Sequence, residues 1–288
     1  MNETKKKTSL IELTWSDVKE NPISWSVAVL PWGAIEPHGE HLPYLTDSLL
    51  ATAISKESIK KSFAGFCENY YDNFMMLPSM PIGVQNLGQV NKKFCINFSI
   101  STQMAILNDI VVSLMAQRVC KLVIINGHNG NDFKPIVREL AVKYPDFKIF
   151  VCDYLSLVNK LMKGKEDEYG VEFPDVDDHA AFTETSLMLY IYNELVDKTK
   201  MNTDKNVEWK EELGTSKDKS GLNGFWTPRN FDYASVNNRI GSLYGASSEN
   251  GKKIFDTVTT EIAKGLVDVY TYDIGKPYFS NAFFDLFK

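Results

Sequence analysis

The chain has 288 residues, of which 44% are hydrophobic and 24% are charged, as in an ordinary globular protein with one substantial core. Its net charge of −6 and isoelectric point near 5.4 exclude a general attraction to nucleic acid or to an anionic membrane. Because the sequence shows neither a long apolar run nor a secretory leader, we expect a cytoplasmic protein with one domain over residues 1–288.

Strand-like and helix-like segments alternate in the first half of the chain. The apolar run SVAVLPWG, residues 26–33, predicts a buried strand, and a helical pattern follows from Ser48 to about Phe63. A second strand is predicted in MMLPSMPIG, residues 75–83. A third is predicted in VNKKFCINFSI, residues 90–100, because its polar and apolar residues alternate.

The middle of the chain continues the same alternation. A helix is predicted over residues 101–119, a strand in KLVIING, a helix over residues 131–144 and a strand in FKIFVCDY. Further helices are predicted from Ala180 onward and, after a serine cap, in the segment beginning GASSENGKKIF. The βαβα order predicts an α/β fold whose mostly parallel sheet is covered by helices on both faces.

All four histidines lie in three short polar segments. PWGAIEPHGEHLPYLTD, residues 31–47, contains His38 and His41, INGHNGND contains His128, and DDHAAFTETS contains His179. The first two segments directly follow predicted strands, and ligands of parallel sheets bind outside the carboxyl ends of strands. By itself, GHNGN is no more than a turn that contains a histidine, but its place in the fold favours a functional site.

The first segment has the spacing of a metal site. In an extended chain, residues two apart point to the same side about 6–7 Å apart, so Glu36 and His38 can face one pocket. Asp47 follows at a predicted helix start, where its carboxylate could bridge two cations. The alternative is that Asp47 only caps that helix, but the nearby histidines favour the metal site.

The third segment places a carboxylate in an apolar helix. Glu184 lies in the first turns of a helix that continues as SLMLYIY, and an ionised carboxylate there is costly unless a cation or hydrogen bonds compensate it. A metal ion would do so. Acidic residues at a helix N-terminus are the alternative, which explains Asp177 and Asp178 better than Glu184. His179, just before the helix, could donate or accept a proton at the same pocket.

Together, GAIEPHGEHLPYLTD, NGHNGN and DHAAFTETS resemble the motifs of the creatininase (creatinine amidohydrolase) family, and GASSENGKKIF resembles its last-helix motif. The match runs from about Leu13 to Tyr272. The resemblance implies a three-layer α/β/α fold, two divalent metal ions and hydrolysis of a non-peptide C–N bond in a small-molecule amide. It also implies a homo-oligomer, often a hexamer.

The resemblance also assigns roles to individual residues. Glu36, Asp47 and His128 would hold one metal, and His38 with Asp47 would hold the other. True creatininases add a glutamate two residues after the loop histidine, where this chain has Gly130. We therefore expect Glu184 to supply that carboxylate, and a substrate other than creatinine. The segment VQNLGQVNKKFCINFS also lacks the family's histidine and Gly-Thr pair, which predicts an altered substrate pocket.

The expected ligands indicate a mechanism. Mixed carboxylate and imidazole donors suit Zn²⁺, Mn²⁺ or Fe²⁺ rather than Ca²⁺. Water bridging two such ions would lose its proton and attack the amide carbon, with His179 and Glu184 as the catalytic residues and His179 as the proton donor to the leaving nitrogen. His41, Asp178 and Asn131 are expected to orient a ligand or the substrate.

Several alternatives stay open from the sequence alone. The substrate could be a cyclic amide, a formamide or a short peptide, and a protein of the same fold without turnover would serve as a metal-binding scaffold. A nucleotide-binding protein is disfavoured because no GxGxxG or GxxxxGK[ST] stretch occurs. Residues 199–230 are polar but contain recurring aromatic residues, which predicts a lid or a subunit contact.

Overall fold

The structure, a computed structural model, describes residues 8–19, 26–66, 73–203, 228 and 230–275. Most of the polar segment predicted as a lid or subunit contact, residues 204–227, lies outside these ranges. The strands are β1 (Val27–Trp32), β2 (Phe74–Met76), β3 (Lys121–Asn126), β4 (Lys148–Asp153), β5 (Asp177–His179) and β6 (Ile240–Gly241). In the described residues, β2-β1-β3-β4 form a parallel sheet in that order, and β5 and β6 form a separate antiparallel pair.

Helices connect and follow these strands. They are α1 (Trp15–Lys19), α2 (Thr46–Phe66), α3 (Ile100–Ala116), α4 (Phe133–Lys143), α5 (Tyr154–Met162), α6 (Glu166–Tyr169), α7 (Phe182–Ile191), α8 (Phe231–Ala234) and α9 (Ser248–Thr271). The predicted serine cap of α9 is confirmed, because the Ser247 side chain accepts from the backbone N–H of Asn250. No helix within the described ranges is both long and apolar enough to span a membrane.

Alternating side chains of the sheet divide the core into two layers. Val27 and Val29 of β1 face α2, α5, α7 and α9, whereas Ala28 and Leu30 face α3 and α4. Each fully buried Val or Leu contributes about 1.5–3 kcal/mol. Helices thus cover both faces of the parallel sheet, and the predicted three-layer α/β/α fold is confirmed.

The strand predicted over residues 90–100 is wrong. This segment forms turns and isolated bridges at Ile96 and Asn97, and α3 begins at Ile100. Phe94 has a φ of 61°, which an extended strand does not allow, and its side chain is 76% exposed. The alternation of its residues therefore does not correspond to a half-buried sheet face.

Two predicted boundaries also differ. The second strand ends at Met76, and beyond it only single bridges, at Met80 and Gly83, continue the pairing. The helix predicted from Ala180 begins at Phe182, because Ala180 has a φ of 50° and cannot join the helix.

Candidate metal centre

Two loops at the carboxyl edge of the sheet carry most of the candidate ligands. Glu36 and His38 follow β1, and His128 follows the neighbouring strand β3. Gly127 allows the β3 loop to approach the start of α2, because a Cβ atom at this position would lie 2.6 Å from the backbone oxygen of Asp47. Adjacent strands and this close approach bring the two predicted motifs into one site.

Three of the four histidines are oriented by backbone carbonyls. The pairs are His38 Nδ1 with Glu36 O at 3.1 Å, His128 Nε2 with Val84 O at 2.8 Å, and His179 Nε2 with Pro37 O at 3.0 Å. A carbonyl oxygen can only accept, so each of these ring nitrogens donates a proton to it. The opposite ring nitrogen of each histidine faces the buried carboxylates. Carbonyl or carboxylate partners of this kind orient metal-binding imidazoles in proteins.

Three buried carboxylates lie among these nitrogens. His128 Nδ1 is 3.0 Å from Glu36 Oε1 and 3.1 Å from Asp47 Oδ2. His38 Nε2 is 2.7 Å from Asp47 Oδ1 and 3.8 Å from Glu184 Oε1. The structure thus brings together all five residues predicted as ligands. Ligand atoms of Glu36, Asp47 and His128 lie within 4.8 Å of one another, as do those of His38, Asp47 and Glu184.

The Asp47 carboxylate does not serve as a helix cap. It is the second residue of α2, and its two oxygens face His38 and His128. Oδ2 lies 3.1 Å from His128 Nδ1, within ion-pair distance, but it has no hydrogen-bond partner among the described residues. A buried carboxylate oxygen without a hydrogen bond is costly, and a cation between the two ligand groups would compensate it.

Without cations, the carboxylates attract protons to the histidines. Burial disfavours the charged form of His38, but Asp47, Glu184 and Glu36 outweigh it and raise the pKa to about 10. Burial acts in the same direction on His128, yet Glu36 and Asp47 raise its pKa well above the usual value. Burial alone would raise the pKa of Asp47, but the two histidines lower it. The centre is therefore a buried region that attracts positive charge.

For His179 and Glu184, burial instead favours the uncharged form of each side chain. Burial and the nearby charge of His38 lower the pKa of His179, which favours the neutral imidazole. Its Nδ1 lies 3.7 Å from Glu36 Oε1, and its ring packs against that of His38 with centroids 4.3 Å apart. Burial raises the pKa of Glu184 to about 8, although His38 opposes the shift. Both predicted catalytic residues thus lie at the centre with protonation states set by burial.

The start of α7 holds Glu184 in place. Glu184 Oε2 accepts from the backbone N–H of Ala180, whose positive φ turns the chain between β5 and α7. Asp177 accepts from the N–H and the hydroxyl of Thr183. Asp177 therefore satisfies a backbone group at the helix start, as predicted for an acidic residue there, whereas Glu184 Oε1 is directed to His38.

Gly130 cannot be replaced by a larger residue in this arrangement. A Cβ atom there would lie 2.2 Å from Val84 O and 2.4 Å from His128 Nε2, the two atoms of one hydrogen bond. The glutamate of true creatininases therefore has no room at this position. Glu184 is the additional carboxylate that the structure places beside His38 and Asp47.

The three residues predicted to orient ligands or substrate lie in different places. Asn131 accepts from Val84 N, and Val84 O in turn binds His128, so Asn131 supports the orientation of that imidazole. Asp178 lines the cavities at the centre. His41 Nε2 lies 2.8 Å from the hydroxyl of Thr185, and His41 belongs to none of the groups of candidate ligands found among the described residues. It connects the first motif to α7.

Sequence reasoning missed three residues at the centre. Gln89 is fully buried and donates its side-chain amide to Glu36 Oε2. The ring of Phe231 packs edge-on against His179 with centroids 4.9 Å apart. Tyr154 is fully buried, and burial and Glu184 raise its pKa well above the usual value. None belongs to the three ligand motifs, although Gln89 lies in the segment VQNLGQVNKKFCINFS, which differs from the family pattern and predicts an altered substrate pocket.

Two adjacent cavities lie at the centre. The smaller, of about 20 Å³, lies among the ligand groups, with Glu36, Asp47, His128, His179 and Glu184 in its lining. A space of this size accommodates about one water-sized occupant. The larger, of about 470 Å³, shares four lining residues with it, which are Asn129, Leu155, Asp178 and Glu184.

Comparisons with known proteins identify a family and several relatives of this chain. The profile of the creatininase family, described as creatinine amidohydrolase, matches residues 11–266. A Pseudomonas putida creatinine amidohydrolase is 29% identical over 65% of this chain and 72% of its own length. A Mycobacterium ulcerans mycofactocin precursor peptide peptidase is 26% identical over 64% of this chain and 66% of its own length.

Solved structures show the same fold. A crystal structure of a Bacteroides fragilis protein described as a creatinine amidohydrolase superposes with a TM-score of 0.79 at 33% sequence identity. The match covers 94% of this chain and 99% of that protein. Creatininase structures described as Mn and as Zn–Zn type have TM-scores of 0.69 at 23% identity, and each covers 93% of this chain and 100% of its own. With a family profile that spans nearly the whole chain and this fold around a centre of histidines and carboxylates, the protein belongs to the creatininase (creatinine amidohydrolase) family.

Proposed function

We propose that this protein hydrolyses an amide C–N bond at a centre of two divalent metal ions, Zn²⁺, Mn²⁺ or Fe²⁺. The observation that carries the proposal is the common orientation of His38, His128 and His179, each with one ring nitrogen bonded to a carbonyl and the other facing buried carboxylates. Metal-binding histidines in proteins are commonly oriented in this way, with the second ring nitrogen bonded to a carbonyl or a carboxylate. Mn and Zn–Zn forms of creatininase structures support the choice of metals.

The donor set fits two cations. Imidazole nitrogens and carboxylate oxygens are the ligands that Zn²⁺, Mn²⁺ and Fe²⁺ prefer. Asp47 belongs to two groups of candidate ligands and has one oxygen directed to each histidine, as expected of a bridging ligand. We assign Glu36, Asp47 and His128 to one cation and His38, Asp47 and Glu184 to the other. Glu36, Asp47, His128 and Glu184 line the small cavity, so both groups border it.

When bound, the cations would acidify water and polarise the amide carbonyl. The chain's own contribution is to hold the substrate and to move protons. His179 is suited to this role because its Nε2–H is bonded to Pro37 O, which leaves Nδ1 directed to the centre. A neutral His179 can accept a proton at Nδ1 from the attacking water and deliver it to the leaving nitrogen. Phe231 packs edge-on against the same ring.

The larger cavity is the proposed substrate site. It adjoins the centre at Asp178 and Glu184. Asp175 and Asp177 add two further carboxylates to its lining, whereas Lys163 is the one basic side chain among the described residues that line it. Acidic walls favour a substrate with hydrogen-bond donors or positive charge. Its volume of about 470 Å³ exceeds what a small heterocyclic amide would fill.

The size of the larger cavity is compatible with two classes of substrate. A non-peptide amide, such as a cyclic amide or formamide, is our first choice because it corresponds to the family's name. A short peptide is the second, favoured by the size of the cavity and by the peptidase relatives. Hydrolysis of matched panels of formamides, cyclic amides and dipeptides by the metal-loaded protein would separate the two classes.

The test of the proposed function begins with metal content. We expect about two equivalents of Zn, Mn or Fe per chain, and a loss of metal in His128→Ala and Glu184→Gln. Glu139→Gln, an exposed glutamate of α4, is the matched control and should retain both metals. A wild-type protein that binds no metal after reconstitution would contradict the proposal. A protein that binds two metals but hydrolyses none of the panel would support the scaffold alternative instead.

A further inference from the structure

Gln89 is an uncharged residue in the lining of the small cavity, and the proposed mechanism does not use it. It lies in the segment between β2 and α3, where its side chain is completely buried. Its amide nitrogen donates to Glu36 Oε2, and its amide oxygen lies 3.4 Å from the backbone nitrogen of Asn86. A buried amide is costly without partners, so these contacts explain how a glutamine is tolerated there.

The two oxygens of Glu36 have different surroundings because of this contact. Oε1 lies 3.0 Å from His128 Nδ1, 3.7 Å from His179 Nδ1 and 3.9 Å from His38 Nε2. Oε2 accepts from the side-chain amide of Gln89. One oxygen of the carboxylate therefore faces the candidate metal ligands, and the other is occupied by the amide.

We propose that Gln89 is a positioning residue that holds Glu36 so that only Oε1 is available to a metal ion. This inference rests on the proposed function of the centre. An amide suits the task because it donates a hydrogen bond to the ionised carboxylate without neutralising it. A second oxygen left free could rotate toward the ion and change the coordination from one oxygen to two.

The backbone around Gln89 is held by contacts with α8. The N–H of Phe231 donates to Leu87 O at 2.7 Å, and Lys92 forms an ion pair with Asp232. Gly88 has a φ of 92°, and a Cβ atom there would lie 2.5 Å from the side-chain oxygen of Asn230. Contacts on both sides of Gln89 thus fix its position against Glu36, as a rigid support for a ligand requires.

The experiment compares two glutamines of the same segment. Gln89→Met removes the donor while it keeps a similar length, and Gln85→Met is the matched control. The Gln85 amide nitrogen lies 3.5 Å from Ile35 O and does not contact Glu36. For both variants we would measure Mn²⁺ binding by titration calorimetry, the absorption spectrum of the Co²⁺-substituted protein, and the melting temperature without metal.

We expect Gln89→Met to bind Mn²⁺ about 10–100-fold more weakly than the wild type, as is typical when the partner of a metal ligand is removed. Its Co²⁺ spectrum should also change, because the coordination of Glu36 changes. Gln85→Met should keep the wild-type affinity and spectrum. If Gln89→Met only lowers the metal-free melting temperature and keeps both the affinity and the spectrum, Gln89 is a packing residue and the inference is wrong.

The metal titration of the wild type separates this inference from the proposed function. A wild type without metal binding would contradict both. A wild type that binds two ions, together with a Gln89→Met variant that binds them equally well, would contradict the role of Gln89 alone.

Discussion

Gly130→Ala tests the geometry of the centre most directly. The added Cβ atom would lie 2.2 Å from Val84 O and 2.4 Å from His128 Nε2, both shorter than any real contact of such an atom. The Val84 carbonyl and the imidazole would have to separate. Loss of this buried hydrogen bond costs about 1–3 kcal/mol, and overpacking costs about 1–3 kcal/mol. We therefore expect a total destabilisation of about 2–6 kcal/mol.

This cost is measurable by thermal unfolding and by metal binding. For a chain of this size, 1 kcal/mol corresponds to about 1.7 °C, so we expect a fall of roughly 3–10 °C in melting temperature. Because His128 loses its orientation, metal affinity should fall about 10–100-fold. The matched control is Gly265→Ala in α9, where a Cβ atom meets nothing within 4 Å, and which should gain about 0.5–1 kcal/mol. If Gly130→Ala retains the wild-type stability and affinity, the proposed orientation of His128 by Val84 is wrong.

Four further predictions follow from the described contacts. Chelation should lower the melting temperature, and metal at about 100 times its Kd should add about 2.7 kcal/mol of stability; an unchanged melting temperature would argue against a bound metal. Tyr154→Phe should leave the free energy of unfolding unchanged or raise it by up to about 1 kcal/mol, because this buried hydroxyl has no hydrogen-bond partner among the described residues; a clear loss in chemical denaturation would reveal a partner. Burial and Arg239 lower the pKa of His41 to about 4, so between about pH 6.5 and pH 4 the unfolded chain binds a proton that the folded chain does not. Over this range the wild type should lose up to roughly 3 kcal/mol more stability than His41→Gln. Equal pH profiles of the two proteins would contradict this prediction. Asp178→Asn should raise KM for cationic amides without changing metal content, and an unchanged KM would remove Asp178 from the substrate site.

The sheet and its main helices could be predicted because their patterns are local. The apolar runs of β1, β3 and β4 and the helical spacing of α3 and α4 depend on neighbouring residues, and the structure confirms them. The prediction failed over residues 90–100, where polar and apolar residues alternate without a sheet to pair with. Alternation indicates a strand only when one face is buried, and exposure is set by the rest of the fold.

The candidate ligands were predictable for a related reason. Their motifs follow strands of a parallel sheet, and the carboxyl ends of such strands meet at one edge. Whether these residues bind metal in the way we assign is a prediction that the titrations above will test. The expected homo-oligomer is likewise a prediction, which light scattering of the purified protein would check.

The sequence by itself determined the residue types of the centre, their order along the chain and the α/β architecture that brings them to one edge. Only the tertiary structure decided which side chains face the centre. His38 and His41 belong to the same motif, yet only His38 joins the carboxylates, whereas His41 binds Thr185. Likewise, Gln89 meets Glu36 across 53 positions of sequence. The direction of a loop side chain depends on partners distant in sequence, and those partners are brought near only when the whole chain has folded.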